Sequence, residues 1–426
     1  MNVLVLGSGG REHAIVCSLA ASSRVERIFV APGNGGAAAG ASNVELDIMD
    51  GQAVVSFARE NRAELVVIGP EAPLVAGVGD AVREAGIDCF GPSAAGALIE
   101  GSKQFSKDLM SKYDIPTAEY AVFESLAPAL SYLESHPTPI VIKADGLAAG
   151  KGVTVAETDE EAADAVRDCF AGRFGSAGAK VVIEECMTGP ECSLLAFVDG
   201  MTMLPMVPAQ DHKRALEGDK GPNTGGMGVY SPVPIVTEQE HQEMIRLMQK
   251  TVDALVSEGI DYKGVLYGGF MLTPAGPRVL EFNARFGDPE TQVVLPLLES
   301  DLVEVMLACS RGQLDSVPLT WKGNWAVSVV LASEGYPGSY EKGKLITGVE
   351  AAEALEGVTV FHAGTQRGND GQIYTNGGRV LNVTALGSGF EDAREQAYRA
   401  VELIDFEGKQ YRGDIGLRAL KGRSAY

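Results

Sequence analysis

The chain has 426 residues, of which 45% are hydrophobic and 22% are charged, a composition typical of a protein with several buried cores. Acidic residues outnumber basic residues by 57 to 35, and the net charge of −22 argues against nucleic acid or an anionic membrane as a partner. The 6 cysteines show no CxxC pair or zinc spacing, the amino terminus lacks the basic stretch of a signal peptide, and no uncharged apolar run reaches the ~20 residues of a membrane span. These features predict a cytoplasmic protein with reduced thiols and about two to four domains.

Residues 1–102 alternate short apolar runs with helical patterns. The apolar runs are typical of buried parallel strands and each is followed by glycine or proline; they are residues 3–6, 27–30, 64–68 and 88–90. Helical patterns such as residues 11–22 and 51–61 lie between them. This order predicts a doubly wound parallel sheet whose ligands bind beyond the carboxyl ends of the strands.

The segment from Gly7 to Glu12 follows the first predicted strand and opens a helix, a setting in which backbone N–H groups bind anions. A dinucleotide site is not expected, because Glu12 replaces the third glycine of the G-x-G-x-x-G pattern and no carboxylate follows the next strand. A single phosphate and a plain tight turn are the interpretations left open. Glu71 also follows a strand, but a lone carboxylate is a weak sign of a site.

From residue 103 to residue 324 the pattern changes to α+β. A helix carrying Lys103 precedes strands that we predict to form two antiparallel hairpins, residues 140–143 with 153–156 and residues 181–185 with 193–198. The polar loop 210–231 has a length typical of functional or disordered loops. A helix at 238–258 and strands at 265–272 and 278–283 follow.

The loop between the first pair of strands differs from a Walker A motif. Three residues rather than four separate Gly146 from Gly150 and Lys151, and Gly152 follows in place of Ser or Thr. We interpret it as a flexible hairpin that folds over phosphates, with Lys151 supplying charge. Lys143 ends the preceding apolar strand, where its ammonium group needs a partner, either a carboxylate or a ligand.

Two acidic stretches at strand ends suit a nucleotide. Glu184, Glu185 and Cys186 lead into a linker whose backbone suits a base edge, and Glu191 suits sugar hydroxyls, although an ordinary acidic strand end would look the same. Glu281 and Asn283 share one face of a strand and present two oxygen ligands, which suits Mg²⁺ completed by water and nucleotide phosphates.

The residues after this pair extend the second stretch. Arg285 follows on the same face and suits a carboxylate or phosphate, and the turn at Gly287 and Asp288 exposes backbone for a small anion.

Residues 325–426 begin with a strand-like run at 325–332 and include a glycine-dense stretch at 364–389, which predicts a small α+β domain. The expected division is therefore 1–102, 103–324 and 325–426.

A series of ordered motifs spans the chain from Met1 to about residue 416. They are residues 9–13, 31–34, 69–74, 143–152, 210–214, 221–228, 281–292 and 375–380. Together they resemble the glycinamide ribonucleotide synthetase family of the ATP-grasp superfamily. The resemblance implies an ATP-dependent ligase, requiring Mg²⁺ or Mn²⁺, that joins glycine to 5-phosphoribosylamine through glycyl phosphate in the second step of purine (IMP) biosynthesis.

The resemblance also implies roles for individual residues. ATP would contact Lys103, Lys143, Gly150, Lys151, Gly152, Glu184, Glu185, Cys186, Glu191 and Lys213. Glu281 and Asn283 would hold the metal ion, and Arg285 would be the catalytic residue at the acyl phosphate. Glycine and the amine would lie at Asp211, Gly287 and Asp288. The phosphoribosyl group would lie at Gly9, Gly10, Arg11, Glu12, Asn34 and Glu71. Cys186 departs from the family, in which an aromatic or aliphatic residue is usual at this position.

Two alternatives stay open. A related ATP-grasp carboxylate–amine ligase or carboxylase would share the ATP and metal residues but differ at residues 287–292 and in the amino-terminal loops. A non-catalytic nucleotide-binding regulator could dispense with the metal pair. We expect a monomer that acts on small molecules, with no nucleic-acid or membrane partner.

Overall fold

The computed structural model describes residues 1–36, 38, 40–147 and 152–422. Gly150 and Lys151, expected in the phosphate-covering loop, lie outside the described residues. The described helices include none with the length and hydropathy of a membrane span.

The amino-terminal part is a parallel sheet covered by helices. Its elements are β1 (Asn2–Gly7), α1 (Gly10–Ala20), β2 (Arg27–Pro32), β3 (Ala41–Asn43), α2 (Gly51–Glu60), β4 (Ala63–Ile68), α3 (Glu71–Val75), α4 (Val78–Glu84), β5 (Asp88–Phe90) and α5 (Ala94–Gly101). All its strand pairs are parallel, in the order β3-β2-β1-β4-β5, which confirms the doubly wound sheet. Residues 3–6 are fully buried, as expected of a strand covered on both faces. The carboxyl ends of β1 and β4 bring the start of α1 and Glu71 to one edge of the sheet.

The described residues of the central part form two separate four-stranded sheets. Its first elements are α6 (Lys103–Lys112), β6 (Tyr120–Phe123), α7 (Leu126–Leu133), β7 (Ile140–Ala144), β8 (Val153–Ala156), α8 (Asp159–Phe170), β9 (Val181–Glu185), β10 (Glu191–Asp199) and β11 (Met203–Pro205). The first sheet has the order β6-β9-β7-β8, and the predicted hairpin of β7 with β8 is confirmed. The second predicted hairpin is wrong: β9 belongs to the first sheet, whereas β10 pairs with β11 and with a later strand in the other sheet. The linker between β9 and β10 therefore crosses from one sheet to the other.

The loop predicted at 210–231 contains strands of its own, so its description as a structureless loop is wrong. The strands are β12 (Gln210–Asp211), β13 (Arg214–Leu216), β14 (Lys220–Asn223) and β15 (Gly228–Ser231). After them come α9 (Glu238–Ser257), β16 (Lys263–Thr273), β17 (Gly276–Asn283), α10 (Thr291–Leu297) and α11 (Leu302–Arg311). β16 and β17 complete the second sheet in the order β11-β10-β16-β17.

The carboxyl-terminal part is a predominantly antiparallel sheet with a long helix packed on it. Its elements are β18 (Trp325–Ser333), β19 (Leu345–Ile346), α12 (Val349–Glu353), β20 (Val358–His362), β21 (Thr365–Arg367), β22 (Ile373–Thr375), β23 (Arg379–Gly387), α13 (Phe390–Leu403), β24 (Lys409–Gln410) and α14 (Leu417–Lys421). The main sheet runs β12-β15-β18-β23-β20, because β15 pairs with β18. Strands from the central segment thus join this sheet, which crosses the division expected between residues 324 and 325.

Candidate active site

A cleft of about 650 Å³ lies between the two central sheets and reaches the amino- and carboxyl-terminal parts. It brings together most of the predicted site residues: Arg11, Glu71, Lys103, Lys143, Gly152, Glu184, Glu185, Cys186, Glu191, Asp211, Lys213, Glu281, Asn283, Arg285 and Asp288. Gly9, Gly10, Glu12, Asn34 and Gly287 are not among the residues that line it. The cleft therefore joins residues that are up to several hundred positions apart in sequence.

One wall of the cleft is cationic and is built around a buried carboxylate. The Glu184 carboxylate is 3% exposed and forms ion pairs with Lys143 Nζ at 2.9 Å and Lys107 Nζ at 3.0 Å. Lys107 Nζ also donates to Thr117 Oγ1 at 2.7 Å, and burial lowers the pKa of this lysine to about 8. The partner that Lys143 requires at the end of its strand is thus Glu184. Lys107 was not predicted as a site residue.

Lys103 lies on the same side of the cleft, in the first turn of α6. Ser102 caps this helix by accepting a hydrogen bond from Phe105 N–H at 3.1 Å, which fixes where the helix begins. Lys103 Nζ donates to Gly146 O at 3.2 Å, in the loop between β7 and β8. Burial lowers the pKa of Lys103, while the nearby Glu281 favours its charged form.

The linker between the two sheets carries one carboxylate that pairs with other described residues and one that does not. Glu185 forms an ion pair with Arg278 at 2.9 Å and accepts from Glu119 N–H at 3.1 Å. The thiol of Cys186 is partly exposed in the cleft. The Glu191 side chain is exposed in the cleft and makes no hydrogen bond or ion pair with any described residue. Among the described residues, Glu191 is therefore the carboxylate of this linker that has no protein partner and is available to a ligand in the cleft.

The opposite wall carries the predicted metal ligands on β17. Glu281 is exposed in the cleft and, within the described residues, has no hydrogen-bond or ion-pair partner. Partial loss of water inside the cleft opposes its ionisation, but Lys143, Lys213 and the other nearby cations lower the pKa of Glu281, so the carboxylate is charged. Asn283 Oδ1 accepts one long contact of 3.5 Å from Arg285. Two available oxygen ligands on one face of a strand fit a divalent ion that also binds phosphates.

The register of the second sheet places Glu191 and Glu281 on the same face. Glu191 lies opposite Met271 and Glu281 lies opposite Gly269, on strands at either side of β16. With strands roughly 4.8 Å apart and residues roughly 3.4 Å apart, the two backbones are roughly 12 Å apart. Gly269 leaves the surface between them without a side chain. This spacing leaves room for an extended ligand with hydroxyls at one end and a metal-bound anion at the other.

Arg285 is held by two carboxylates. Its Nη2 pairs with Glu100 at 2.7 Å and its Nε with Glu71 at 3.4 Å. Although burial disfavours the charged form, these carboxylates raise the pKa of Arg285 further, so it stays charged. Glu100 also accepts from Ala284 N–H at 2.7 Å and was not predicted as a site residue. Glu71 is therefore an arginine partner as well as a cleft residue.

A second charged cluster lies between β12 and α10. Lys213 Nζ is 2.6 Å from Asp211 Oδ2 and 3.9 Å from Glu290 Oε1. Glu290 is buried and accepts hydrogen bonds from Tyr267 at 3.0 Å and Ser193 at 3.1 Å. Burial raises the pKa of Asp211 to about 6, although Lys213 opposes this shift. Glu290 was not predicted as a site residue. Its partners lie far away in sequence, on β10, on β16 and in the 210–231 segment, so no local pattern reveals the cluster.

Asp288 connects the cleft to the carboxyl-terminal part. Its carboxylate pairs with Arg379 at 3.2 Å and accepts from Gln292 at 2.9 Å. Arg379 also donates to the backbone oxygens of Gly225 at 2.7 Å and Asp288 at 2.9 Å. Arg379 lines the cleft but was not predicted as a site residue, although it lies in one of the motifs that carry the family resemblance.

The glycine loop at the start of α1 is filled by a protein carboxylate. Glu12 is 2% exposed, accepts from Gly9 N–H at 2.7 Å and pairs with Arg11 Nε at 2.5 Å. A Cβ on Gly7 or Gly69 would lie within 2.6 Å of Glu12, so these glycines make room for it. Because Gly9 N–H already donates to Glu12, it is not available to a phosphate. At this amide the structure favours a plain tight turn over a phosphate site.

Asn34 joins the amino- and carboxyl-terminal parts. Its amide nitrogen donates to Ser8 O at 2.9 Å and His362 O at 2.7 Å, and its oxygen accepts from Gly36 N–H at 2.9 Å. Gly10 is buried against Gln292 and Asn382, and Gly287 is buried against Glu290. These residues support the walls of the cleft instead of facing it.

Two central α+β sheets that close on one cleft, with lysines on one wall and a carboxylate and an amide oxygen on the other, define an ATP-grasp protein. Three family models match the chain: Phosphoribosylglycinamide synthetase, N domain, at residues 1–100; its ATP-grasp (A) domain at residues 101–291; and its C domain at residues 326–418. The chain belongs to the phosphoribosylglycinamide synthetase family.

Relatives named phosphoribosylamine–glycine ligase are similar over nearly their full length. The chain is 53% identical to the phosphoribosylamine–glycine ligase of a Nostoc species over 423 residues, covering 98% of this chain and 99% of the relative. It is 52% identical to the Pseudomonas aeruginosa ligase over 425 residues, covering 99% and 98%. The solved structure of the Thermotoga maritima phosphoribosylamine–glycine ligase superposes with a TM-score of 0.85 at 36% identity, covering 97% of this chain and 100% of the other. A biotin carboxylase domain from Hydrogenobacter thermophilus, 16% identical with a TM-score of 0.73, shares the fold.

Proposed function

We propose that the chain joins glycine to 5-phosphoribosylamine at the expense of ATP, giving glycinamide ribonucleotide, ADP and phosphate. This is the phosphoribosylamine–glycine ligase reaction, the second step of purine (IMP) biosynthesis. The observation that carries the proposal is a pair of cleft carboxylates, Glu191 and Glu281, that have no partner among the described residues and lie opposite a lysine wall. The names of the full-length relatives at about 50% identity point to the same reaction.

ATP would lie along the face between these two carboxylates. Glu191 would accept hydrogen bonds from the ribose hydroxyls, and the backbone of the linker after Glu185 would bind the adenine edge, so that the thiol of Cys186 has little effect. Lys103 and Lys143 would contact the phosphates, and Lys213, which also lines the cleft, would contact ATP as well. Gly152 would belong to the loop that covers the phosphates.

Glu281 and Asn283 would hold Mg²⁺ or Mn²⁺. The Glu281 carboxylate, without a partner among the described residues, and the Asn283 amide oxygen, with one contact of 3.5 Å, fit such an ion, and one related fold was crystallised with MgADP. When bound, the ion would neutralise negative charge on the ATP phosphates. The residues of the chain would bind and orient the reacting groups.

The reaction balances as two displacements. A glycine carboxylate oxygen attacks the γ-phosphorus of ATP, ADP leaves, and glycyl phosphate forms. The amine of phosphoribosylamine then attacks the glycyl carbonyl, phosphate leaves with the oxygen that came from glycine, and the amine loses a proton. Arg285, which Glu100 and Glu71 hold in place, would stabilise the charge on the acyl phosphate.

The remaining cleft residues would recognise the two smaller substrates. Asp211 and Asp288 would receive the ammonium group of glycine and the incoming amine. Arg11 and Glu71 lie at the edge of the parallel sheet and would receive the phosphoribosyl group. The predicted residues that do not line the cleft would act indirectly, by holding these side chains in place; they are Gly9, Gly10, Glu12, Asn34 and Gly287. We also propose that the chain acts as a cytoplasmic monomer with functional units at 1–102, 103–324 and 325–426.

ADP release measured with ATP and Mg²⁺ tests the function. With glycine and phosphoribosylamine together, rapid ADP release and a product with the mass of glycinamide ribonucleotide are expected, and omission of either substrate should lower the rate to background. ADP release only with another acid or amine would establish the related ligase or carboxylase instead. ATP binding without release under any combination would point to a nucleotide-binding regulator.

A further inference from the structure

The segment that carries Asp211 and Lys213 contacts residues 412–416, near the carboxyl terminus, through residues that do not line the cleft. Asp211 and Lys213 line the cleft, whereas the alternating residues His212 and Arg214 do not and contact residues 412–416. We call residues 412–416 the carboxyl-terminal strut. None of its residues is among those that line the cleft in the described part of the chain.

Arg412 makes the central contacts of the strut. Its side chain is 1% exposed and donates to the Arg214 backbone oxygen at 2.9 Å and to Asp219 at 3.1 Å. Asp414 holds the same guanidinium through two hydrogen bonds of 2.8 Å. A buried arginine with this many acceptors fixes the backbone next to Lys213 in one position.

His212 makes a second connection with a defined tautomer. The Gly416 backbone N–H donates to His212 Nε2 at 3.1 Å, so Nδ1 carries the proton and donates to Gly228 O at 3.1 Å. Burial, with Arg412 and Arg418 nearby, lowers the pKa of His212 to about 3, so the ring is neutral. This one imidazole therefore links the strut to both ends of the 210–231 segment.

The strut is itself anchored on α13. Arg394 donates to Ile415 O at 2.9 Å, and Tyr398 donates to Arg412 O at 2.6 Å. The Ile415 side chain is fully buried against Gly228, where a Cβ would lie 2.7 Å from it. A continuous path of contacts thus runs from α13 through the strut to the segment that carries Asp211 and Lys213.

We propose that the strut positions Asp211 and Lys213 in the cleft, and that Arg412 and His212 are positioning residues for the ligation. The inference rests on the proposed function of the cleft. A double-mutant cycle tests it, because residues that act through one another give non-additive effects. The four chains are the wild type, Arg412→Met, Asp211→Asn and the double variant, and the measured quantity is kcat/KM for glycine.

We expect Arg412→Met to lower kcat/KM for glycine about tenfold in the wild-type background and less than about twofold in the Asp211→Asn background, as for contacting residues. Arg412→Lys should recover part of the loss, because an ammonium group still reaches a carboxylate or the backbone oxygen. Arg311→Met controls for the loss of an ion-paired arginine elsewhere: Arg311, whose side chain is 50% exposed, pairs with Asp88 at 2.7 Å across a different junction, and it does not line the cleft. It should leave kcat/KM unchanged. Equal losses in both backgrounds, or no loss, would overturn the proposal.

A readout without substrates separates this inference from the function. Backbone hydrogen exchange of residues 210–228 should be faster in Arg412→Met than in the wild type and unchanged in Arg311→Met. If the wild type shows no glycine-dependent ADP release, the proposed function fails, and unchanged exchange would then overturn the strut as well. If Arg412→Met does not fold, Arg412→Lys and His212→Gln take its place in the cycle.

Discussion

Glu184→Gln should destabilise the chain strongly, because the Glu184 carboxylate holds two buried lysines. It is 3% exposed and lies 2.9 Å from Lys143 Nζ and 3.0 Å from Lys107 Nζ. An amide of the same shape leaves both ammonium groups close together without a negative charge. Removing one partner of a buried ion pair costs about 3–5 kcal/mol of unfolding free energy. Urea denaturation of the ligand-free protein near pH 7 measures the loss.

The matched control is Glu185→Gln, the next residue on the same strand. Its ion pair with Arg278 has a similar distance of 2.9 Å, but the side chains are 40% and 31% exposed. An exposed pair of this kind contributes about 0–1 kcal/mol. Equal unfolding free energies for the two variants would refute the conclusion that burial, rather than charge pairing alone, determines the role of Glu184.

Three further predictions concern the cleft. Glu281→Gln should lower turnover about 100-fold by loss of metal binding, with little change in stability because the carboxylate has no described partner; turnover against Mg²⁺ concentration and urea denaturation measure the two effects. Glu191→Gln should raise KM for ATP severalfold but leave KM for 3′-deoxy-ATP nearly unchanged. Because burial raises the pKa of Asp211 to about 6, its carboxyl is protonated below that pH, and kcat/KM for glycine should fall as pH drops through about 6.

Each of these predictions has a contradicting result. Full turnover of Glu281→Gln at low Mg²⁺ would exclude the metal assignment. An equal rise in KM for both nucleotides in Glu191→Gln would show that the carboxylate does not contact the missing hydroxyl. For Asp211, the control is Asp211→Asn, which should have low activity without the fall near pH 6; a fall that persists in this variant belongs to another group.

The amino-terminal fold was predictable because its signals are local. Residues 3–6, 27–30, 64–68 and 88–90 each lie within the observed strands β1, β2, β4 and β5. The pairing of β10 was not predictable in the same way. β9 and β10 are separated by a short linker that looks like a hairpin loop, but their partners, β7 and β16, are set by contacts between distant segments.

In the candidate site too, residues with a local sequence signal could be predicted, and residues whose partners are distant in sequence could not. Glu281 and Asn283 could be assigned as a pair from strand alternation alone, and both line the cleft. Arg379 could not be assigned a role, since its partner Asp288 is 91 positions away in sequence. Likewise, the resemblance implies that Glu12 contacts the substrate, whereas in the structure Gly7 and the distant Gly69 enclose its side chain.

If the cleft activates the carboxylate of glycine by phosphorylation, an oxygen atom of glycine must pass to the released phosphate. With glycine labelled by ¹⁸O in both carboxylate positions, phosphoribosylamine, ATP and Mg²⁺, one labelled oxygen should appear in the released phosphate and the other in the amide of the product. The ratio of labelled phosphate to product should be one to one. Product formation with unlabelled phosphate would contradict the account, because the carboxylate oxygen would then never have been bonded to phosphorus.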